Sequence, residues 1–440
     1  MTSLKKYKSY TLRNYLKIPQ IRSALNSEEI EAIKIVGKVL PFKTNNYVVD
    51  ELIDWNDLPN DPMFQLTFPQ KGMLTTGHFN KMKFALQSDL SKAALYKLIC
   101  GIRRELNPNP AGQETNIPIL NDTRLTGIQH KYKETVLFFP SSGQTCHAYC
   151  TFCFRWPQFV GMGELKFAMK ETDLLIQYLR KHPKVTDVLF SGGDPMIMST
   201  KKIKEYIEPL LNSNLETLKN IRIGTKTLSY WPYRYLTDKD SDELLRLFKK
   251  ITKKGYHLAL MAHFNHPNEL KTKAVQGAIK RILNTGAIIR TQSPIMNNIN
   301  SSAEAWAEMW KLQVKLGCVP YYMFVARDTG AQDYFAVTLE NAWKIYRNAY
   351  KQVSGLARTV RGPSMSAGPG KIQILGINEI ANEKIFVLRF LQGRNPDWVG
   401  RPFFAKYDAE ATWLSDLEPL DDKNVFFFDN EIEPMKLIAN

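Results

Sequence analysis

From residue 135 onward, short apolar runs rich in β-branched and aromatic residues alternate with longer segments whose apolar positions recur at helical spacing. The runs TVLFFP, VTDVLFSGG, IRIGT, YHLALMAHF, GAIIRTQS and VPYYMFVA read as six strands. Segments between them, such as ETDLLIQYLRKH and AVQGAIKRILNTG, read as amphipathic helices. Six strand–helix alternations predict an α/β fold whose parallel sheet curls into a partial (β/α)6 TIM-like barrel, short of the full eight units. Before it, residues 1–125 read as a helical N-terminal region. SALNSEEIEAIKIVGKVL predicts a helix capped by Ser27, and SDLSKAALYKLICGIRREL a second one with Cys100 in the core. WNDLPNDPMFQLTFP is punctuated by proline and reads as irregular. NPNPAGQETNIPILNDTRLTG reads as a long loop leading into the barrel. The barrel spans 126–355, and 356–440 is expected to be a small extension of strands and turns that opens on the Gly/Pro/Ser-rich loop RTVRGPSMSAGPGKIQ.

In parallel barrels, chemistry gathers at the C-terminal ends of the strands. The candidate polar residues fall there: a cysteine loop after the first strand, SGGDP after the second, HFNHP at the end of the fourth. Composition narrows the classes further. Hydrophobic content of 44% and aromatic content of 11% can fill a large core. No apolar run approaches the roughly 20 residues that span a bilayer, and the N-terminus lacks the apolar stretch of a signal peptide. Five cysteines, three of them crowded, do not make a disulfide framework, so a cytoplasmic protein is expected. The net charge of +16 favours anionic partners, but the lysines are scattered and read as a generally basic surface, with nucleic acid not expected.

The crowded cysteines lie in TCHAYCTFCFRW, where Cys146, Cys150 and Cys153 follow C-x3-C-x2-C. Structural zinc wants four ligands and pairs short C-x2-C hairpins, whereas this chain has one such hairpin and an isolated Cys318. His147 is the nearest non-thiol ligand, awkwardly placed between two cysteines. A four-iron cluster normally takes four cysteines; three leave one iron open for another ligand. The cluster is the preferred reading, with zinc as its alternative.

This spacing after the first strand of a parallel barrel resembles the radical S-adenosylmethionine enzymes, and more closely their lysine 2,3-aminomutase family. The resemblance runs from about residue 40 to about 385, through LPFKTNNY, NDPMFQ, NPAGQE, HKY, CHAYCTFCFRWPQFVG, FSGGDP, IRIGTKT, AHFNHPNE, TQSPI, PYYMFVARDTGAQDYF and GPGKI. It implies a [4Fe-4S] cluster on Cys146, Cys150 and Cys153 whose open iron chelates S-adenosylmethionine, and an electron that splits the sulfonium to give a 5′-deoxyadenosyl radical. It implies that Gly192, Gly193 and Asp194 bind the methionine end of that cofactor and that His263 and Gln292 contact its nucleoside. AGPGKI is not a phosphate loop, since Met365 and Ile372 break that pattern. The resemblance instead makes Lys371 the lysine that holds pyridoxal 5′-phosphate as a Schiff base, so that nitrogen migrates from C2 to C3 of an amino acid. It also implies an electron donor such as flavodoxin or ferredoxin, and a homo-oligomer. The zinc-binding cysteines of some members are missing, because no cysteine follows Cys318.

The chain departs from that pattern in two places. Two family arginines that hold the phosphate are matched by Lys131 and Thr135, with Lys133 and Lys226 as candidate substitutes for the lost charge. Arg155 matches the binder of the substrate carboxylate, but the two aspartates that lysine-specific members use are matched by Arg327 and Ser364. That pair resembles glutamate 2,3-aminomutases and implies an acidic substrate, while a one-residue shift onto Asp328 would restore lysine. A radical enzyme without pyridoxal phosphate, acting on RNA or a peptide, is the first rival, and a zinc-stabilised nucleic-acid binder the second.

Overall fold

The computed structural model describes residues 5–108, 116–161, 167–420 and 425–432. Of the segments that carry the resemblance, NPAGQE lies outside the described residues. The main sheet has eleven strands in straight sequence order. They are β1 Ile128–Tyr132, β2 Thr135–Phe138, β3 Asp187–Phe190, β4 Asn220–Thr225, β5 His257–His263, β6 Ile288–Ile295, β7 Val319–Val325, β8 Arg361–Ser366, β9 Gly370–Ile380, β10 Glu383–Gly393 and β11 Pro402–Lys406.

Strands β2 to β8 pair in parallel. All six predicted strands are present, and the fold class is the predicted one. A seventh parallel strand, β8, was not foreseen. The stretch expected to be a loop instead forms β8 and the start of β9, which turns back antiparallel beside it. Lys371 therefore sits on a strand rather than on a loop. The sheet stays open: β1 pairs antiparallel on one edge, and β9, β10 and β11 continue antiparallel on the other.

The helices that cover the sheet begin where short hydroxyl side chains meet an apolar stripe. Ser199, Thr272, Ser302 and Thr338 each accept a hydrogen bond from the backbone N–H three residues on. Helix Ser241–Lys253 shows the pattern well: Leu244, Leu245, Leu247, Phe248 and Ile251 are buried against the strands and its lysines face outward. The strands alternate in turn. In β4, Ile221, Ile223 and Thr225 are buried under the helices while Arg222 and Gly224 point to the other, barrel-interior face.

The N-terminal region holds helices Ser27–Val39, Thr76–Gln87 and Lys92–Glu105 and a small antiparallel pair, Ser9–Thr11 with Lys43–Asn45, and two readings need refinement. The helix Ser27–Val39 is capped not by Ser27 but by Asn26, whose side chain accepts from Glu28 N and Glu29 N while Glu29 reaches back to Asn26 N. This is a full capping box, and Asn26 sits one residue earlier than the serine in the same motif. The proline-punctuated segment holds a short helix, Pro62–Thr67. No helix among the described residues is long and apolar enough to cross a membrane.

Asn26→Ala should cost about 1 kcal/mol of stability in denaturant unfolding, as loss of an N-cap does, whereas Ser27→Ala should stay within about 0.5 kcal/mol.

Candidate active site

The cysteine loop leaves the C-terminal end of β2, and the N-terminal region fixes its path. Lys43 Nζ donates to Cys146 O at 2.7 Å, and Tyr149 N donates to Lys43 O at 2.8 Å. Tyr7 Oη and Asn45 Nδ2 donate to His147 O at 2.7 and 3.2 Å. Thr151 donates through N and Oγ1 to the carbonyls of Leu66 and Gln65. Lys43, Asn45 and Gln65 belong to LPFKTNNY and NDPMFQ, so those motifs act as a cradle for the thiols.

Burial pushes the Cys146 thiol well above its ordinary range and Cys153 up to about 12, and the three thiols act electrostatically on one another. Tyr230 Oη donates to Cys150 Sγ at 3.3 Å. Among the described residues, no three His, Cys, Asp or Glu side chains come together closely enough to ligate one metal ion. His147 points elsewhere: its Nδ1 pairs with Thr227 Oγ1 at 3.0 Å and its ring packs against Tyr7 and Trp231.

SGGDP lies directly against this loop. A Cβ on Gly193 would sit 2.5 Å from Thr145 N and O, and one on Gly192, whose φ is +143°, 2.5 Å from the Gln144 amide. The glycines are thus needed for the backbone just before Cys146 to close onto the loop. Asp194 is buried and saturated: it accepts from Thr225 Oγ1 at 2.7 Å, Lys226 N at 2.8 Å, and Thr227 Oγ1 and Met196 N at 2.9 Å. It ties the ends of β3 and β4 together beneath the thiols.

His263 and Gln292 are register partners on β5 and β6, with side-chain nitrogens 2.6 Å apart. Burial, then the Lys226 charge, drives His263 down to about 3, so its imidazole is neutral. Lys226 is committed on this side of the site. Its Nζ meets Glu269 at 2.5 Å, contacts His263 O at 3.4 Å and lies over the Tyr230 ring.

Lys371 lies deeper in the lumen. Its Nζ donates to Gln392 at 2.9 Å and stands 4.4 Å from the centre of the Tyr322 ring. Burial, then Arg222, Arg361 and Arg327, brings it down to about 7. A lysine neutral near physiological pH is a nucleophile toward carbonyl groups, so the residue fits an aldehyde cofactor. Lys131 donates to Ala367 O, and burial, then Arg394, Arg327 and Lys371, holds it well below its usual range. Thr135, where a second cation was lost, has Arg222 Nη2 3.4 Å from its hydroxyl. Lys133 is exposed and Lys226 is engaged elsewhere, so neither substitutes. The nearby guanidiniums of Arg222, Arg361 and Arg394 were missed in the sequence. Arg222 was readable: IRIGT puts a lone charge at an inward position of a buried strand.

Arg155 and Arg327 both pack on Phe154, at 5.4 and 4.9 Å from its ring centre. Arg155 is pulled down to about 10, by burial first, with Arg327 adding to the effect, and its Nη1 is buried with no hydrogen-bond partner among the described residues. Burial lowers Arg327 too, while Asp328 opposes the shift. Ser364 is 0% exposed, and its hydroxyl faces Met323 O at 3.4 Å.

The rate at which Lys371 forms a covalent bond with a small aldehyde, followed by borohydride trapping and peptide mass, should rise with pH through a midpoint near 7. Ordinary lysines would react only as the pH nears roughly 10.4. A Lys371 midpoint at that ordinary value would contradict the electrostatics described.

No family model matches the chain. An Aquifex aeolicus (strain VF5) protein that carries a provisional L-lysine 2,3-aminomutase name is 31% identical over 394 residues, 89% of this chain and 92% of its own length. L-lysine 2,3-aminomutase of Clostridium subterminale is 26% identical over 352 residues, 80% of this chain and 73% of its own. The enzyme of that name from Bacillus subtilis (strain 168) is 29% identical over 353 residues, 80% of this chain and 64% of its own. Overlap with solved structures is partial: a radical SAM methyltransferase from Sphaerobacter thermophilus gives a TM-score of 0.39 at 14% identity, over 55% of this chain and 69% of that one. Identity sustained across nearly the whole of both chains in the first of these relatives makes this protein a member of the lysine 2,3-aminomutase family of radical S-adenosylmethionine isomerases.

Proposed function

We propose that the protein is a 2,3-aminomutase for an acidic, glutamate-like amino acid. Cys146, Cys150 and Cys153 hold the four-iron cluster, His263 and Gln292 line the S-adenosylmethionine site, and Lys371 holds pyridoxal phosphate. When bound, these groups supply the hydrogen-abstracting radical and the carbonyl that carries the migrating nitrogen. The chain supplies position and charge. Asp194 and the glycine pair hold the cysteine loop against β4. His263, neutral, pairs through Nε2 with the Gln292 amide and brings no charge to the site. Lys371 stays uncharged enough to bond a carbonyl at neutral pH.

The observation that carries the substrate reading is the pair Arg155 and Arg327, both half-buried and both over the Phe154 ring. Arg155 has a guanidinium nitrogen with no hydrogen-bond partner among the described residues, which a substrate α-carboxylate would satisfy. Arg327 would take the side-chain carboxylate, and Ser364 adds no negative charge beside it. A lysine substrate would bring its ammonium against a buried guanidinium. A charge-assisted hydrogen bond is worth about 1.5–3 kcal/mol, or about one to two powers of ten in binding. The second reading is lysine itself. The names of the relatives favour it, as does Asp328, whose charge acts directly on Arg327.

Turnover of glutamate and of lysine by the reconstituted enzyme separates the two. Glutamate should be preferred, and Arg327→Asp should lower its turnover about 10- to 100-fold while cleavage of S-adenosylmethionine without substrate persists. Efficient use of lysine with no response to glutamate would assign the pocket to Asp328.

Anaerobic reconstitution should yield about four irons per chain, and Cys146→Ala, Cys150→Ala or Cys153→Ala should abolish S-adenosylmethionine cleavage. Tight zinc without iron uptake would refute the cluster.

A further inference from the structure

The cations of the lumen fall into two groups: Arg155 and Arg327 over Phe154, assigned above to the substrate, and a second group around the Tyr322 ring. Arg361 Cζ lies 4.5 Å from the centre of that ring and Lys371 Nζ 4.4 Å from it. Arg361 also stacks on Tyr321 at 4.2 Å, and its guanidinium donates no hydrogen bond among the described residues. Arg222 comes up from the neighbouring face of β4. Its Nε is oriented by Asp187 at 2.8 Å, and its Nη2 is 3.4 Å from Thr135 Oγ1. Among the described residues, the carboxylate bonded to this group is Asp187, on the Nε side of Arg222, which leaves the end nitrogens directed away from it. The charges of both arginines act on Lys371, so the three cations share one space.

We propose that Arg222 and Arg361 form the phosphate clamp of this enzyme, drawing in a phosphomonoester whose aldehyde reaches Lys371. The proposal rests on the reading that Lys371 holds pyridoxal phosphate and assigns the other end of that ligand. A phosphomonoester carries about −1.5 to −2 charge, which two guanidiniums match better than a carboxylate would. Each guanidinium can offer a fork of parallel N–H donors, one from β4 and one from the start of β8, on strands that are fixed by the sheet rather than by a loop. Thr135 fits this arrangement: its short side chain leaves the room that the arm of Arg222 fills. The clamp therefore takes the role for which Lys133 and Lys226 were candidates, and Lys131, bonded to Ala367 O, stands beside it with Arg394.

The test compares pyridoxal phosphate with pyridoxal, which has the same aldehyde and no phosphate. Full-length enzyme is titrated with each, reading the visible absorbance of the bound carbonyl and the borohydride-trapped mass on the Lys371 peptide. Arg361→Gln and Arg222→Gln each remove a charge that holds Lys371 down, so both aldehydes should bond less readily at neutral pH, but pyridoxal phosphate should weaken about 10- to 100-fold more than pyridoxal. Because Arg222→Gln strands Asp187, the pair Asp187→Asn/Arg222→Gln is measured beside it and should show the same selectivity. Lys133→Gln, an exposed change, should alter neither ligand. Inorganic phosphate should compete in the wild type and lose that effect in Arg361→Gln. Equal weakening of both aldehydes, or an unchanged ratio between them in all the arginine variants, would overturn the clamp while leaving Lys371 in place. Failure of either aldehyde to bond Lys371 in the wild type would overturn the cofactor reading itself, and the clamp with it.

Discussion

Everything in the interior of this barrel follows from like charges held together out of water. Lys131, Arg155, Arg327 and Lys371 are all pulled below their ordinary pKa ranges by burial, and each is pushed further by a cationic neighbour except Arg327, where Asp328 pulls the other way. In a poorly solvated space such repulsion is costly unless anions enter. Lys131 and Lys371 are set there by strands, whereas Arg155 and Arg327 come from the loops that follow β2 and β7. An enzyme that must bind a carboxylate and a phosphate together gains from that arrangement: the free state is destabilised locally and the loaded state is neutralised.

The second dependence is mechanical. A loop bearing three thiols needs a rigid path, and the barrel alone does not give one. The loop is held from outside by Lys43, Asn45 and Thr151's partners in the N-terminal region, and from below by the glycines and Asp194. The N-terminal helices are thus part of the active site although no helical residue there is assigned to a ligand. Removing the methyl-free surface at Gly193 would push the Thr145 backbone, and Cys146 with it.

Much of this was legible in the sequence, and the failures have physical causes. The six parallel strands announced themselves because fully covered strands read as apolar runs. The cap of the first long helix was misplaced by one residue because Asn26 and Ser27 are both good caps, and only the reach back from Glu29 decides between them. β8 was invisible because its glycine, proline and serines mimic a loop. Its strand character comes from pairing with β7 and β9, which is information held elsewhere in the chain. The cysteines stood out by their spacing, and His263, Gln292 and Lys371 were picked out by resemblance, whereas the guanidiniums facing Lys371 converge from β4 and β8 and needed the fold to be seen as a group.

The central claim is that the lumen is built for a substrate with two carboxylates. The most direct measurement is a crystal structure of the fully loaded enzyme with glutamate bound. The account predicts the α-carboxylate on Arg155 and the side-chain carboxylate on Arg327. Glutamate absent from the lumen, with lysine instead bound so that its ammonium meets Asp328, would contradict it.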